Sequence, residues 1–178
     1  MLLFGQRVKY QLNKSLSAGR QGFSLLETAI AISILVFSIL GPMTLSSQSI
    51  RSASVARNTI IASNLAQEGI ELVKNIRLNN RIEERDWMRG LNNCKSVNGC
   101  YIDAKDLDVR QCASNCSFLR FDNSLKLYNY NSGSDSVFRR IITISDINAR
   151  EIRVRSLVKW TDKFGNHDFF LSTSMFDW

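Results

Sequence analysis

The chain has 178 residues, a formal charge of +7, a pI near 9.5, a single histidine and a single proline. It shows no Gly-rich phosphate loop, no metal-ligand cluster beyond its cysteines and no nucleophile beside an evident base, so the composition argues against an enzyme and implies no cofactor. The basic balance would fit nucleic acid, but Arg7, Lys9, Lys14 and Arg20 fall in residues 1–22, which hold no acid, and the other 19 basic and 16 acidic side chains leave only +3.

This basic segment precedes an apolar run. Thr28 to Leu45 is 18 residues without a charge; as a helix at ~1.5 Å per residue it reaches about 27 Å, close to the ~30 Å hydrocarbon core of a bilayer. Positive charge ahead of the run keeps that end cytoplasmic and sends the C-terminal part outward. A plain anchor is one reading, and a secretory signal cut near Ser46 is another. The run exceeds the ~7–15 residues of a signal h-region, and no A-x-A pattern ends it. Neither reading accounts for Glu27, because a charge in the bilayer costs about 2.5–3.5 kcal/mol at the centre and less near the edge. Cleavage between Gly22 and Phe23 does account for it. Phe23 then carries a free amine, and Glu27 lies four residues on, on the same helix face. The carboxylate of one subunit can pair with the amine of another and set their axial register.

Gly22-Phe23-Ser24-Leu25-Leu26-Glu27, followed by an apolar helix, resembles the class III signal of type IV pilins and of the pseudopilins of type II secretion systems. The resemblance implies that a prepilin peptidase cuts after Gly22, that Phe23 becomes N-methylated and that Glu27 acts in assembly. A leader of 22 residues is longer than that of many members. Pro42, after Gly41, removes one helical hydrogen bond and clashes with the carbonyl of Ser38. Taken alone it reads as a kink; the resemblance implies a site where the helix can partly melt in a filament.

Beyond Leu45 the chain turns amphipathic. Ile61, Leu65, Leu72 and Ile76 fall at helical spacing, widened by Ala62, Ala66, Ile70 and Val73, with Gln67, Glu68, Glu71, Lys74 and Asn75 mostly on the other side. Gly69 leaves room for a close neighbour, and Asn79-Asn80 is the expected stop. The stretch LAQEGIELVKNIR resembles minor-pilin sequences.

From residue 81 to 122 the periodicity fades around Cys94, Cys100, Cys112 and Cys116. Zinc ribbons use tighter paired knuckles, and the lone His167 is distant, so disulfides are expected in an outward-facing domain. The local pairs Cys94–Cys100 and Cys112–Cys116 are favoured; the nested arrangement stays open. The C-terminal disulfide frequent in pilins has no counterpart after Cys116.

After Asp122 the period becomes two. Strands are expected over Leu125–Tyr130, Val137–Ser145, Glu151–Trp160 and Asp168–Phe176, with turns at Asn131-Ser132-Gly133 and Phe164-Gly165-Asn166. Ile152, Val154, Val158 and Trp160 share one face of their strand; Arg153, Arg155 and Lys159 share the other. His167 is placed in the turn, in solvent. The fold class is α+β: a long N-terminal helix, spanning the membrane in its first half, packs its second half on a C-terminal antiparallel meander, as in the pilin fold. The expected divisions are a removed leader (1–22), a membrane and filament-core helix (23–45), an amphipathic helix (46–80), the cysteine-bearing loop region (81–122) and the sheet (123–178).

Arg139, Arg140, Arg150, Arg153, Arg155 and Lys159 concentrate in the meander near Tyr128, Tyr130, Phe169 and Phe170. A solvated sheet face is the favoured reading and nucleic acid the less favoured one. The resemblance implies other pilin subunits, a prepilin peptidase and N-methyltransferase, a membrane assembly platform and cytoplasmic-membrane lipids as partners. It implies a subunit held in the membrane by a single pass and then moved into an external or envelope-spanning filament. The rival reading is a monomeric membrane-anchored adhesin or DNA-binding domain.

Overall fold

The computed structural model describes residues 24–177; the leader, Gly22, Phe23 and Trp178 lie outside the described residues. The chain divides into two units, Met1–Ser46 and Ser47–Trp178. One helix, α1, runs Leu25–Ile82, 58 residues with Pro42 inside it.

In the first unit every described residue is exposed. This part of α1 is long and apolar enough to cross a membrane, and among the described residues its apolar window is exposed.

In the second unit α1 buries the stripe Ala62, Leu65, Ala66, Gly69, Ile70, Leu72, Val73, Ile76 and Asn80. This matches the sequence periodicity except that Ile61 is only half-buried. The helix passes the expected stop and ends at Ile82 because Asn80 is itself buried and braces the following turn: its side-chain amide donates to the Arg89 carbonyl at 2.8 Å. The exit is closed by Glu84 at φ 54° and by the Arg85 N–H donating to the Asn80 carbonyl at 2.8 Å, a left-handed helix cap.

Eight strands follow: β1 Cys100–Ile102, β2 Val109–Gln111, β3 Arg120–Asp122, β4 Leu127–Asn129, β5 Ser134–Asp135, β6 Phe138–Asn148, β7 Glu151–Asp162 and β8 Gly165–Phe176. They form a five-stranded sheet in the order β2-β1-β6-β7-β8 and a three-stranded one in the order β4-β3-β5, with antiparallel pairing throughout. The α+β class is thus observed, a long helix on antiparallel sheet. The region 81–122 is more ordered than a loop: it supplies β1 and β2 to the main sheet and β3 to the small one. Three-residue strands are too short to show a period, and long-range pairing stabilises them. Of the expected strand Leu125–Tyr130, the middle three residues, Leu127–Asn129, pair as a strand; Leu125 and Lys126 are in a turn, Lys126 at φ 55°.

The inner face of the sheet carries Phe138, Arg140, Ile142 and Ile144 from β6 and Ile152, Val154, Ser156, Val158 and Trp160 from β7, all buried. Two apolar clusters result. Ala62, Leu65 and Ala66 of α1 meet Leu119, Phe138, Val158 and Trp160. Ile70, Val73 and Ile76 meet Ile142, Ile144, Ile152, Val154 and the Cys94 and Cys100 side chains. Full burial of such aliphatic side chains contributes about 1.5–3 kcal/mol each.

Between the clusters α1 crosses the sheet at Gly69. A Cβ there would collide with Ser156 Oγ and come within 3.0 Å of Arg140 Cδ. Helix propensity favours alanine over glycine by about 1 kcal/mol, but overpacking costs about 1–3 kcal/mol. Gly69→Ala is therefore expected to lower stability. Ser156 Oγ is buried without a hydrogen-bond partner among the described residues. Removing it with Ser156→Ala should recover more than half of the loss in the double variant; urea unfolding of all four proteins checks this.

Candidate functional site

The site indicated by the sequence is the N-terminal part of α1. Ser24 precedes the helix and caps it: its Oγ accepts from the Glu27 N–H at 3.2 Å and its carbonyl from the Thr28 N–H at 3.1 Å. Ser24-x-x-Glu27 has the spacing of a capping box, and the Ser24 half of it is formed, a cap that the sequence reading missed although the spacing was legible. Glu27 is exposed in the first turn, where the helix dipole favours a negative charge by about 0.3–1 kcal/mol. The carboxylate therefore has a local structural use as well as the assembly use expected of it.

The apolar run that follows contains four hydroxyls, and each donates to a carbonyl of its own helix. Thr28 bonds Leu25 at 2.9 Å, Ser33 bonds Ala29 at 2.7 Å, Ser38 bonds Leu35 at 2.8 Å and Thr44 bonds Gly41 at 2.8 Å. Back-bonding of this kind satisfies hydroxyls where water is absent. Glu27 is then the one charged side chain from Leu25 to Leu45. Helical geometry continues through Pro42, whose ring leaves the Ser38 carbonyl without its usual donor. A Cβ at Gly41 would meet nothing within 4 Å, so no contact among the described residues demands a glycine there.

The four cysteines form the two local disulfides, Cys94–Cys100 and Cys112–Cys116; no thiolate remains for a metal. In the chain-entropy account the larger loop contributes about 2.4 kcal/mol. Cys94 and Cys100 are fully buried in the core beside Leu91 and Ile102. This disulfide thus anchors the cysteine-bearing region to the sheet.

The basic and aromatic residues of the meander do not form one patch. Arg140 points inward and its side chain is wholly buried. It donates to Glu68 Oε2 at 2.6 Å and the Leu65 carbonyl at 3.3 Å, both on α1, and to the Ile102 carbonyl on β1 at 2.9 Å. It is thus a tie between helix and sheet, not a solvated base. The strand period explains this: Phe138, Arg140, Ile142 and Ile144 share one face. Glu68 also leaves the solvent side to which the sequence reading assigned it; its side chain is 34% exposed. Tyr130 lies beside this tie, and burial pushes its phenol up to about 12 against the pull of the Arg140 guanidinium.

Arg139, Arg153, Arg155 and Lys159 lie on the outer face. Arg139 stacks on Phe118 at 3.8 Å, an aromatic the sequence reading passed over because its segment has no period, and Arg155 stacks on Phe170 at 4.1 Å. Tyr128 and Phe169 pack toward the core instead. A cavity of about 620 Å³ opens against Phe118, Arg139, Leu157, Lys159 and Asp168.

His167 is not in the turn. β8 begins at Gly165, so His167 points inward, half-buried, stacked on Trp160 at 5.3 Å with Nε2 3.2 Å from Asp162 Oδ1. Desolvation raises the Asp162 pKa, but hydrogen bonds from the Phe164 N–H, His167 and Asn58 outweigh it and hold the carboxyl below its ordinary value.

Comparison with known proteins returned no matching family model, no matching curated protein and no matching solved structure.

Proposed function

We propose that this chain is a structural subunit, a minor pilin or pseudopilin, of a type IV pilus or related filament. A prepilin peptidase cuts between Gly22 and Phe23, an N-methyltransferase modifies Phe23, and the chain waits in the cytoplasmic membrane with its sheet domain outside. An assembly platform then moves it into a filament with other pilin subunits. On this reading the chain is a substrate of two enzymes and not itself a catalyst.

The observation that carries the proposal is the motif Gly22-Phe23-Ser24-Leu25-Leu26-Glu27 at the head of an apolar helix whose described residues are exposed as far as Ser46. An apolar helix surface of that size needs lipid or neighbouring helices around it, and a filament core supplies the second after the membrane has supplied the first. In that core, Gly41 and Pro42 would form the place where α1 yields.

The test is the intact mass and N-terminal sequence of the membrane-extracted protein. A chain starting at methylated Phe23 is expected. Retention of Met1, or a cut near Ser46, would reject the proposal and favour a monomeric membrane-anchored adhesin or DNA-binding domain.

A further inference from the structure

We propose that the free edge of β8 is a docking surface for an extended segment of a partner protein whose side chains alternate between apolar and acidic. β8 is the last strand of the main sheet and pairs only with β7. The pairing runs without a register break from Asp162↔Gly165 to Glu151↔Phe176, whereas β6 and β7 shift register near Asp146. β8 is thus regular strand throughout, and from Gly165 to Met175 its other side pairs with no strand among the described residues.

The backbone parity follows from two observations. The β7–β8 loop has two residues, Lys163 and Phe164, which makes Asp162 and Gly165 the closing hydrogen-bonded pair. At the far end the Phe176 carbonyl receives Arg77 of α1 at 2.6 Å, so it faces away from β7. Even-numbered residues, including Phe170, Ser172 and Ser174, therefore direct their N–H and C=O groups outward.

Exposed edges are ordinarily blunted by lysine, proline, a bulge or short length. The opposite edge of this sheet follows the rule: β2 has three residues, one of them Arg110, paired with Asp108 at 2.6 Å. β8 does not. From Phe169 to Phe176 it holds no charge, no proline and no glycine.

The two faces beside the edge specify the occupant. On the inner face, Phe169 and Leu171 pack against the core but are only partly buried; an added strand with apolar residues on that side would finish covering them. On the outer face, Arg155 pairs in register with Ser172, yet its guanidinium lies over the Phe170 ring. It therefore reaches from β7 over a side chain of β8. Neither Arg153 nor Arg155 makes an ion pair among the described residues. A strand added about 4.8 Å beyond β8 would place acidic side chains on that face within their reach. Main-chain pairing supplies the binding and the alternating faces the specificity. A second copy of this chain fits poorly, because pairing β8 with a second β8 would bring the Arg153 and Arg155 of another β7 to the same face, with Asp168 as the one acid on the strand.

The inference gives the proposed subunit a partner surface, but its test needs neither cleavage nor filaments, so the two can fail separately. The full chain in detergent micelles is titrated with a nine-residue peptide alternating valine and glutamate, and with one alternating valine and lysine. The first is expected to slow amide exchange at Phe170, Ser172 and Ser174 at least about tenfold; the second is expected to leave it unchanged. Ser172→Pro, which removes an outward N–H and spares the β7 ladder, should abolish the protection, and Arg155→Glu should reverse the preference between the peptides. Equal protection by both peptides, or by neither, would overturn the proposal. So would protection that appears with rising protein concentration alone, or with an oligodeoxynucleotide in place of peptide.

Discussion

Replacing Arg140 by alanine is expected to cost the folded domain about 3–5 kcal/mol, the range for breaking a buried ion pair by removing one partner. The guanidinium is wholly buried and bonds a carboxylate and two carbonyls on two other elements. Its loss leaves the Leu65 and Ile102 carbonyls without that donor, opens a cavity between the two apolar clusters and releases α1 from β6. Glu68→Gln should cost less, about 1 kcal/mol, since the amide oxygen still accepts and water reaches this partly exposed side chain. Arg140→Met with Glu68→Leu should recover most of the stability, because well-packed apolar side chains often replace a buried pair at little cost. Urea unfolding followed by tryptophan emission measures all three. A loss below about 1 kcal/mol for Arg140→Ala would mean that the tie is not what holds helix to sheet.

Glu27→Gln is expected to abolish filament assembly while leaving the helix intact, the largest functional effect anticipated for any single substitution here. Its value is that it separates the first-turn position of Glu27 from its proposed role in assembly. Glutamine serves at the third position of a capping box as glutamate does, so the cap formed with Ser24 survives and helicity by circular dichroism should not change. The negative charge does not survive, and with it would go the proposed pairing to the amine of a neighbouring subunit in a medium where an unpaired charge is costly. Ser24→Ala is the converse: it removes the cap, weakens the first turn by about 1 kcal/mol and should leave assembly intact. Filaments counted by electron microscopy, with membrane insertion confirmed by fractionation, decide the outcome. Normal filaments with Glu27→Gln would assign Glu27 to capping alone.

Much of this was legible before any coordinates, because it is periodic or local. The 3.6-residue stripe of α1 and the two-residue alternation of β7 each predicted which side chains are buried, and short loops between cysteines pointed to the local disulfides. Arg140 was misplaced although the signal was present. Arg139 and Arg140 were both counted among six basic residues on a solvated sheet face, whereas the alternation Phe138, Arg140, Ile142, Ile144 puts them on opposite faces. Phe118, β1 and β2 had no such signal, since three-residue strands are shaped by what they pair with.

By itself, the sequence determined the motif from Gly22 to Glu27, the apolar run behind it and the buried faces of helix and meander, since each depends on residues within a few positions of one another. Only the tertiary structure decided that Gly69 is the crossing point, that Arg140 and Glu68, 72 residues apart, form a buried tie, and that β8 is an unguarded edge. Those outcomes depend on which distant segments meet, and hydrophobic burial selects such meetings without leaving a period in the chain.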